Sequence, residues 1–212
     1  MSMMQRRSLM NSKPPTSNYE AVDLGLPSGI KWAKMNLGAS SETEAGLYFA
    51  WGETTGYANA ADRNTALGLT GGFDSTSYNA GSAASIINSL TLSDDAAFVN
   101  LGSPWRMPTK KEFQELCNTS YVDTEYTTIN GVNGVKIMKK NDHSVYVFFC
   151  VGGIYQNNSW FNYRNTFEYW SSVMSGAPYG EAAFRLYNSQ GTNTLNINAV
   201  NRKYGLNIRP VQ

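Results

Sequence analysis

Residues able to do acid–base or nucleophilic chemistry are few in this chain. His143 is the only histidine, and the run Lys139 to His143 reads as a turn between two strands. A Ser-His-Asp or Cys-His arrangement would therefore rest on one exposed imidazole with no identifiable nucleophile beside it. The two cysteines, Cys117 and Cys150, are too few and too far apart for a zinc cluster or a disulfide scaffold and are expected to be buried free thiols. Asp94 and Asp95 sit together in a loop, where adjacent acids more often cap the next turn than hold an ion. Gly71-Gly72 and Gly152-Gly153 lack the following helix and lysine of a phosphate cradle. No enzyme activity, metal or cofactor is expected.

The chemistry that the last quarter does favour is contact. Between residues 155 and 207 asparagines alternate with aromatics, and the candidate ligand-binding residues there are Tyr155, Asn157, Asn158, Trp160, Asn162, Tyr163 and Asn165, followed by Arg185, Tyr187, Asn196, Asn198, Asn201 and Tyr204. Rigid rings lose little entropy on binding and small amides adapt their hydrogen bonds, which is the mixture binding surfaces use. Phe161, Phe167 and Phe184 are open between core and contact, and Arg164 and Arg202 between contact and structural roles. Arg209 reads as structural. Trp32, Trp51, Trp105 and Trp170 are expected in the core that holds the surface.

A chain of 212 residues suits one domain, here 19–212 after a polar tail over 1–18 that contains Pro14-Pro15. The tail around Arg6-Arg7 is a candidate attachment to a virion or surface assembly. Lys and Arg number 17 against 16 Asp and Glu, so charge gives no reason to expect nucleic acid or an anionic membrane. Aromatics at 13% nearly match charged residues at 16%, a balance suited to making contacts. No stretch has the roughly 18 apolar residues of a membrane span, and the N-terminus as given lacks the apolar core of a signal peptide.

The elements that must position these residues read as follows. Residues 19–24 and 30–33 form a hairpin around Pro27-Ser28-Gly29, and 48–52 form a short strand or buried bend. Residues 53–97 are poor in large apolar side chains and read as a long surface insertion with at most short helices. Thr109 and Glu112 make a capping box for a helix whose apolar face is Phe113, Leu116 and Cys117. Strands follow at 126–129, 135–138 and 145–151, separated by turns at 130–134 and 139–143, then at 168–173 and 182–187. The closing run 204–211 is expected to pair near the N-terminal strand. The fold class is α+β, mainly antiparallel.

Several segments together resemble one family. Val22-Asp23-Leu24-Gly25-Leu26-Pro27-Ser28-Gly29 with Trp32-Ala33, Asn36-Leu37-Gly38-Ala39, Tyr48-Phe49-Ala50-Trp51-Gly52-Glu53, Asp95-Ala96-Ala97 through Trp105-Arg106-Met107-Pro108-Thr109, Tyr169-Trp170-Ser171-Ser172 and Ile208-Arg209-Pro210-Val211 are similar to C-type-lectin-like domains of gut Bacteroidetes and their phages. The likeness spans nearly the whole domain. It extends to the variable proteins of diversity-generating retroelements, whose adenine-directed mutagenesis falls on C-terminal Asn codons. The ten asparagines at 157, 158, 162, 165, 188, 193, 196, 198, 201 and 207 fit that footprint at exposed positions. The resemblance implies a C-type-lectin-like fold and a non-enzymatic module binding a protein or glycan receptor, displayed on a phage tail or a bacterial surface. The Glu-Pro-Asn, Gln-Pro-Asp and Trp-Asn-Asp motifs of calcium-dependent lectins are absent. Two alternatives stay open: a fixed-sequence binding module of the same fold, and an enzyme of the formylglycine-generating type, which would need Cys117 and Cys150 in contact within a cleft.

Overall fold

The computed structural model describes residues 19–74, 89–161, 166–175 and 182–212. These residues are α+β, with mostly antiparallel strands in small sheets and few helices. Strand β1 (Ala21–Val22) pairs with β2 (Trp32–Ala33), Ala21 opposite Ala33 and Val22 opposite Trp32. The reversal between them closes where the Gly29 N–H donates to the Leu26 carbonyl at 2.9 Å. The C-terminal run returns to this hairpin as expected. Ala33 donates to the Pro210 carbonyl (2.8 Å), Lys31 and Gln212 exchange bonds at 2.8 and 2.9 Å, and Val211 bridges both Trp32 and Arg106.

Arg209 holds this junction. Its guanidinium is fully buried and donates to Asn36 Oδ1 (2.8 Å) and to the carbonyls of Ala33 (3.0 Å), Lys34 (2.7 Å) and Phe148 (2.6 Å). A buried charge is tolerable only with its donors occupied, and here oxygen acceptors from two distant segments, 33–36 and Phe148, meet that demand.

The middle of the chain forms successive hairpins, β3 (Val122–Ile129), β4 (Val132–Lys139) and β5 (Asp142–Cys150). Their turns are shorter than the sequence reading of 130–134 and 139–143, because Val132-Asn133-Gly134 and Asp142-His143 join the ladders. Asn130 (φ 50°) and Gly131 (φ 80°) both take the left-handed conformation, the combination that lets a two-residue turn follow the twist of its strands. Val135, Ile137, Val147 and Phe149 point into a core with Trp32, Phe113 and Leu116.

Phe113 and Leu116 belong to helix α3 (Lys110–Leu116), which begins with the expected capping box. The Thr109 hydroxyl accepts from the Glu112 N–H while the Glu112 carboxylate accepts from the Thr109 N–H. Arg106 braces the same carboxylate at 2.5 and 2.9 Å. The helix packs on a second sheet, ordered β10-β9-β8 and built from β8 (Glu168–Ser175), β9 (Ala182–Asn188) and β10 (Leu195–Asn201).

The insertion is less peripheral than its composition implies. Within it lie helix α1 (Ala60–Leu67), capped by Asn59, and a 3-10 turn at Gly72–Asp74, and at its end begins helix α2 (Ala96–Leu101), capped by Asp95. Arg63 and Phe73 are fully buried. Arg63 donates to Glu53 (2.5 and 3.3 Å) and to the Gly72 carbonyl (2.5 Å), and its guanidinium lies 5.2 Å from the Phe73 ring centroid. One ion pair and one aromatic thus supply the buried content that a low apolar count does not reveal. Residues 75–88 of the insertion, like the tail over 1–18, lie outside the described residues.

All four expected frame tryptophans are buried. Two tie layers together: Trp51 Nε1 donates to the Ser171 carbonyl and Trp170 Nε1 to the Phe49 carbonyl, each at 2.8 Å. Both cysteines are free thiols, but only Cys150 is buried; Cys117, the C-cap of α3, is half-buried and packs against the core that holds Phe113 and Leu116.

Candidate functional site

Strand alternation divides the residues of the second sheet between two faces. Tyr169, Leu186 and Ile197 stand in register and pack with Phe113 and Leu116 in one core. The intervening residues stand on the opposite face. There Tyr187 lies between Glu168 on β8 and Asn196 on β10, and Arg185 lies between Trp170 and Asn198. Four predicted contact residues, Arg185, Tyr187, Asn196 and Asn198, therefore share one face.

Arg185 organises that face. One guanidinium nitrogen binds the Glu168 carboxylate, Nε donates to Asn198 Oδ1 at 2.9 Å, and the guanidinium carbon lies 4.8 Å from the Tyr187 ring centroid. Glu168 is buried and Arg185 half-buried, so the opposite charges meet largely out of water. Beside them opens a cavity of about 540 Å³, lined by Thr166, Glu168, Arg185, Tyr187, Asn188, Ser189, Gln190 and Thr192. The connection from β9 to β10 that forms its wall is cross-tied. Ser189 donates to the Thr194 carbonyl (2.9 Å), Thr192 N–H to the Ser189 carbonyl (2.7 Å) and Asn188 Nδ2 to the Thr192 carbonyl (3.1 Å).

The first group of candidates lies on a second, smaller hairpin, β6 (Ile154–Gln156) and β7 (Ser159–Phe161), that the sequence reading did not place. Trp160 is 48% exposed, yet its Nε1 donates to the Gly152 carbonyl at 2.8 Å, which fixes the ring over the hairpin base. Gly153, at φ 66°, is required there, since a Cβ would stand 2.5 Å from the Phe161 carbonyl oxygen. The hairpin base is tied to the cavity rim by the Gly153 N–H, which donates to the Thr166 carbonyl (3.2 Å). Asn157 and Asn158 are exposed but also anchor the insertion. Phe73 N–H donates to the Asn157 carbonyl (3.0 Å), and Asn158 Nδ2 to the Thr70 carbonyl (2.6 Å). The approach is so close at Gly72 that a Cβ would fall 2.1 Å from the Asn157 oxygen. Tyr155 is half-buried, edge-on to Tyr48 at 4.8 Å.

The remaining candidates divide. Asn201 ends β10 opposite Ala182, and its side chain accepts from the Lys203 N–H at 3.0 Å. Tyr204 packs half-buried against the core cluster that contains Trp51 and Trp170. Asn162, Tyr163 and Asn165, with Arg164, lie outside the described residues. The expectation that the C-terminal asparagines are exposed fails at Asn188 and Asn207, both fully buried. Each does structural work there: Asn188 Oδ1 accepts from the Phe167 N–H (2.8 Å) and Asn207 Nδ2 donates to the Leu47 carbonyl (3.1 Å). Phe167 is core, Phe161 is 37% exposed, and Phe184 is half-buried beneath the Lys110 ammonium, 3.8 Å from its ring centroid. The Arg202 guanidinium lies 5.9 Å from the Trp51 ring centroid.

Chemically reactive groups do not gather at this face. His143 is exposed on β5, 2.9 Å from Asp123, whose carboxyl is held below its usual range by hydrogen bonds from Lys140 and His143. Burial pushes the Cys117 thiol up to about 11 and also raises Cys150, which lies 3.5 Å from Asn36 Nδ2. Among the described residues no group of three or more His, Cys, Asp or Glu is placed to hold a metal ion, and no helix is long and apolar enough to cross a membrane. A second hollow of about 410 Å³, with Glu20, Lys34, Lys139 and Tyr146 in its walls, contains none of the predicted residues.

Sequence reasoning missed Glu168, Ser189, Gln190 and Thr192. A usable signal existed for Glu168: an acid two residues before Trp170, at the start of a strand with no other charged residue, needs a partner, and Arg185 is the one cation in the next strand. Compared with family models, curated proteins and solved structures, the chain matches none.

Proposed function

We propose that this chain is a non-enzymatic receptor-binding module on a C-type-lectin-like frame, displayed on a phage tail tip or a bacterial surface and diversified in its C-terminal region by a retroelement. Its contact surface is the part of the β9–β10 face that carries Arg185, Tyr187, Asn196 and Asn198, together with hairpin β6–β7; Trp170 and Ala183 on the same face belong to the core. The observation that carries the reading is the alternation itself. Arg185, Tyr187, Asn196 and Asn198 share one face, where Arg185 and Tyr187 line a cavity, while Leu186 and Ile197 between them pack on the core. A surface so built can change its outer residues and keep its inner ones, which separates recognition from stability. The partner is a protein or glycan receptor. Sequencing the gene's neighbourhood tests the reading: it predicts a reverse transcriptase gene beside an adenine-rich near-copy of the last coding segment, and their absence removes the retroelement from it.

A fixed-sequence binding module is the second reading, and a specific observation favours it. Asn188 and Asn207 are buried, and Asn157 and Asn158 anchor the insertion, so part of the stretch 155–207 belongs to the frame and resists substitution. The two readings share a contact surface and differ in whether sister copies vary there.

A further inference from the structure

We infer that Asn64 is a positioning residue for recognition: from helix α1 it clamps the tip of hairpin β6–β7 and so fixes Trp160 before a partner arrives. The inference rests on the reading of that hairpin as contact surface, and adds to it the part of the insertion that holds it.

The hairpin needs holding. It has three residues on each strand, with Gln156 opposite Ser159 and only Asn157 and Asn158 between them. Two strands of that length are marginal in water by themselves. The base is tied, because Tyr155 and Gly205 exchange main-chain bonds at 2.9 Å each and the Trp160 indole donates to the Gly152 carbonyl. The tip is tied to the insertion. Asn157 takes the left-handed conformation (φ 52°) and its carbonyl accepts from the Phe73 N–H, while Asn158 Nδ2 donates to the Thr70 carbonyl at 2.6 Å.

Asn64 joins the two sides of this contact with one amide. Its Nδ2 donates to Asn158 Oδ1 and its Oδ1 accepts from the Gly72 N–H, each at 2.8 Å. Helix α1 ends on the main-chain carbonyl of Asn64, which accepts from the Gly68 N–H, so the side chain is left for the hairpin. The neighbouring Arg63 is fully buried and donates to the Gly72 carbonyl, which fixes the helix against the same loop. The contact also has no slack. A Cβ on Gly72 would fall 2.1 Å from the Asn157 oxygen, and the Phe73 ring lies 5.5 Å from the Tyr155 ring. An aromatic anchor that is already ordered spares its partner the entropy of ordering it, so a clamp at the tip acts on affinity through Trp160 without touching the partner.

Amide and indole hydrogen exchange, followed by NMR on the full chain, tests the clamp without a partner. Asn64→Ala is expected to speed exchange at Gln156, Ser159 and the Trp160 indole by about tenfold or more, with the β4 amides and the melting temperature nearly unchanged. Asn64→Asp, which keeps an acceptor for the Gly72 N–H and loses the donor to Asn158, should speed the hairpin and leave the Gly72 amide slow. Thr65→Ala, at an exposed position of the same helix, should change neither. Hairpin exchange that Asn64→Ala leaves unchanged overturns the inference. So does acceleration shared equally by β4, which would make Asn64 a support of the whole fold. Either result leaves the contact surface standing, since that reading is tested separately, by whether sister copies vary at Trp160 and Asn198.

Discussion

Glu168 and Arg185 meet diagonally across β8 and β9, a buried carboxylate against a half-buried guanidinium, on the face opposite helix α3. The pair joins frame to surface: Glu168 leads into the core residues Tyr169 and Trp170, and Arg185 holds Asn198 and faces the Tyr187 ring. Removing one partner leaves the other charge buried and uncompensated. Glu168→Gln is therefore expected to cost about 3 kcal/mol or more in urea unfolding, whereas Glu20→Gln in the exposed Lys34–Glu20 pair costs less than about 1 kcal/mol. Equal small losses would mean that solvent reaches the Glu168 site.

The Thr109 cap offers a local test. Its hydroxyl satisfies the Glu112 N–H, and α3 carries the Phe113 and Leu116 side chains that support the second sheet. Thr109→Ala should lower stability by about 1 kcal/mol by chemical denaturation, with Thr109→Ser recovering most of it.

Alkaline pH should loosen the fold in a defined window. Burial raises the Tyr48 hydroxyl, which donates to the Gly152 carbonyl, from 10.0 to about 12, and raises the Cys117 thiol from 9.0 to about 11. The unfolded chain loses these protons first. Stability is thus fully present below about pH 9 and falls as pH rises through about 9 to 12. Melting temperature measured across that range should decline, and Tyr48→Phe should flatten the upper part of the decline even if it lowers stability overall. A slope unaffected by Tyr48→Phe would place the titration elsewhere.

Trp160 separates binding from stability. Nearly half of its surface is exposed, and its indole N–H donates to the Gly152 carbonyl. Trp160→Ala should cost about 2 kcal/mol of receptor affinity by calorimetry if the ring is a central anchor, with little change in melting temperature. Unchanged affinity would move the centre of the surface toward Tyr187 and Asn198.

Much of the frame was legible from residue types. The tryptophans, the Thr109–Glu112 box, the hairpin stack and the returning C-terminal run each had a local physical signature of burial, capping or alternation. The surface was legible in composition but not in placement. Asn196-Ile197-Asn198-Ala199 alternates as a half-buried strand should, yet asparagine is depleted in strands and the sequence reading places none there, so β10 went unseen. An amide also suits opposite environments: Asn198 accepts from Arg185 on an exposed position, while Asn207 spends the same group on a buried backbone carbonyl. Only the three-dimensional register distinguishes them. Glu168 and the Ser189–Thr192 turn lacked a motif altogether, because a site assembled across strands leaves no contiguous mark.

The most direct measurement is deep sequencing of many sister copies of this gene, with each variable codon placed on the fold. Variation concentrated at outward positions such as Trp160, Tyr187, Asn196 and Asn198, with Glu168, Arg185, Leu186, Asn188, Ile197, Asn207 and Arg209 held constant, is the predicted result. Substitutions spread evenly along the chain, or falling on the inward residues as often as the outward ones, would contradict a replaceable surface carried on a constant frame.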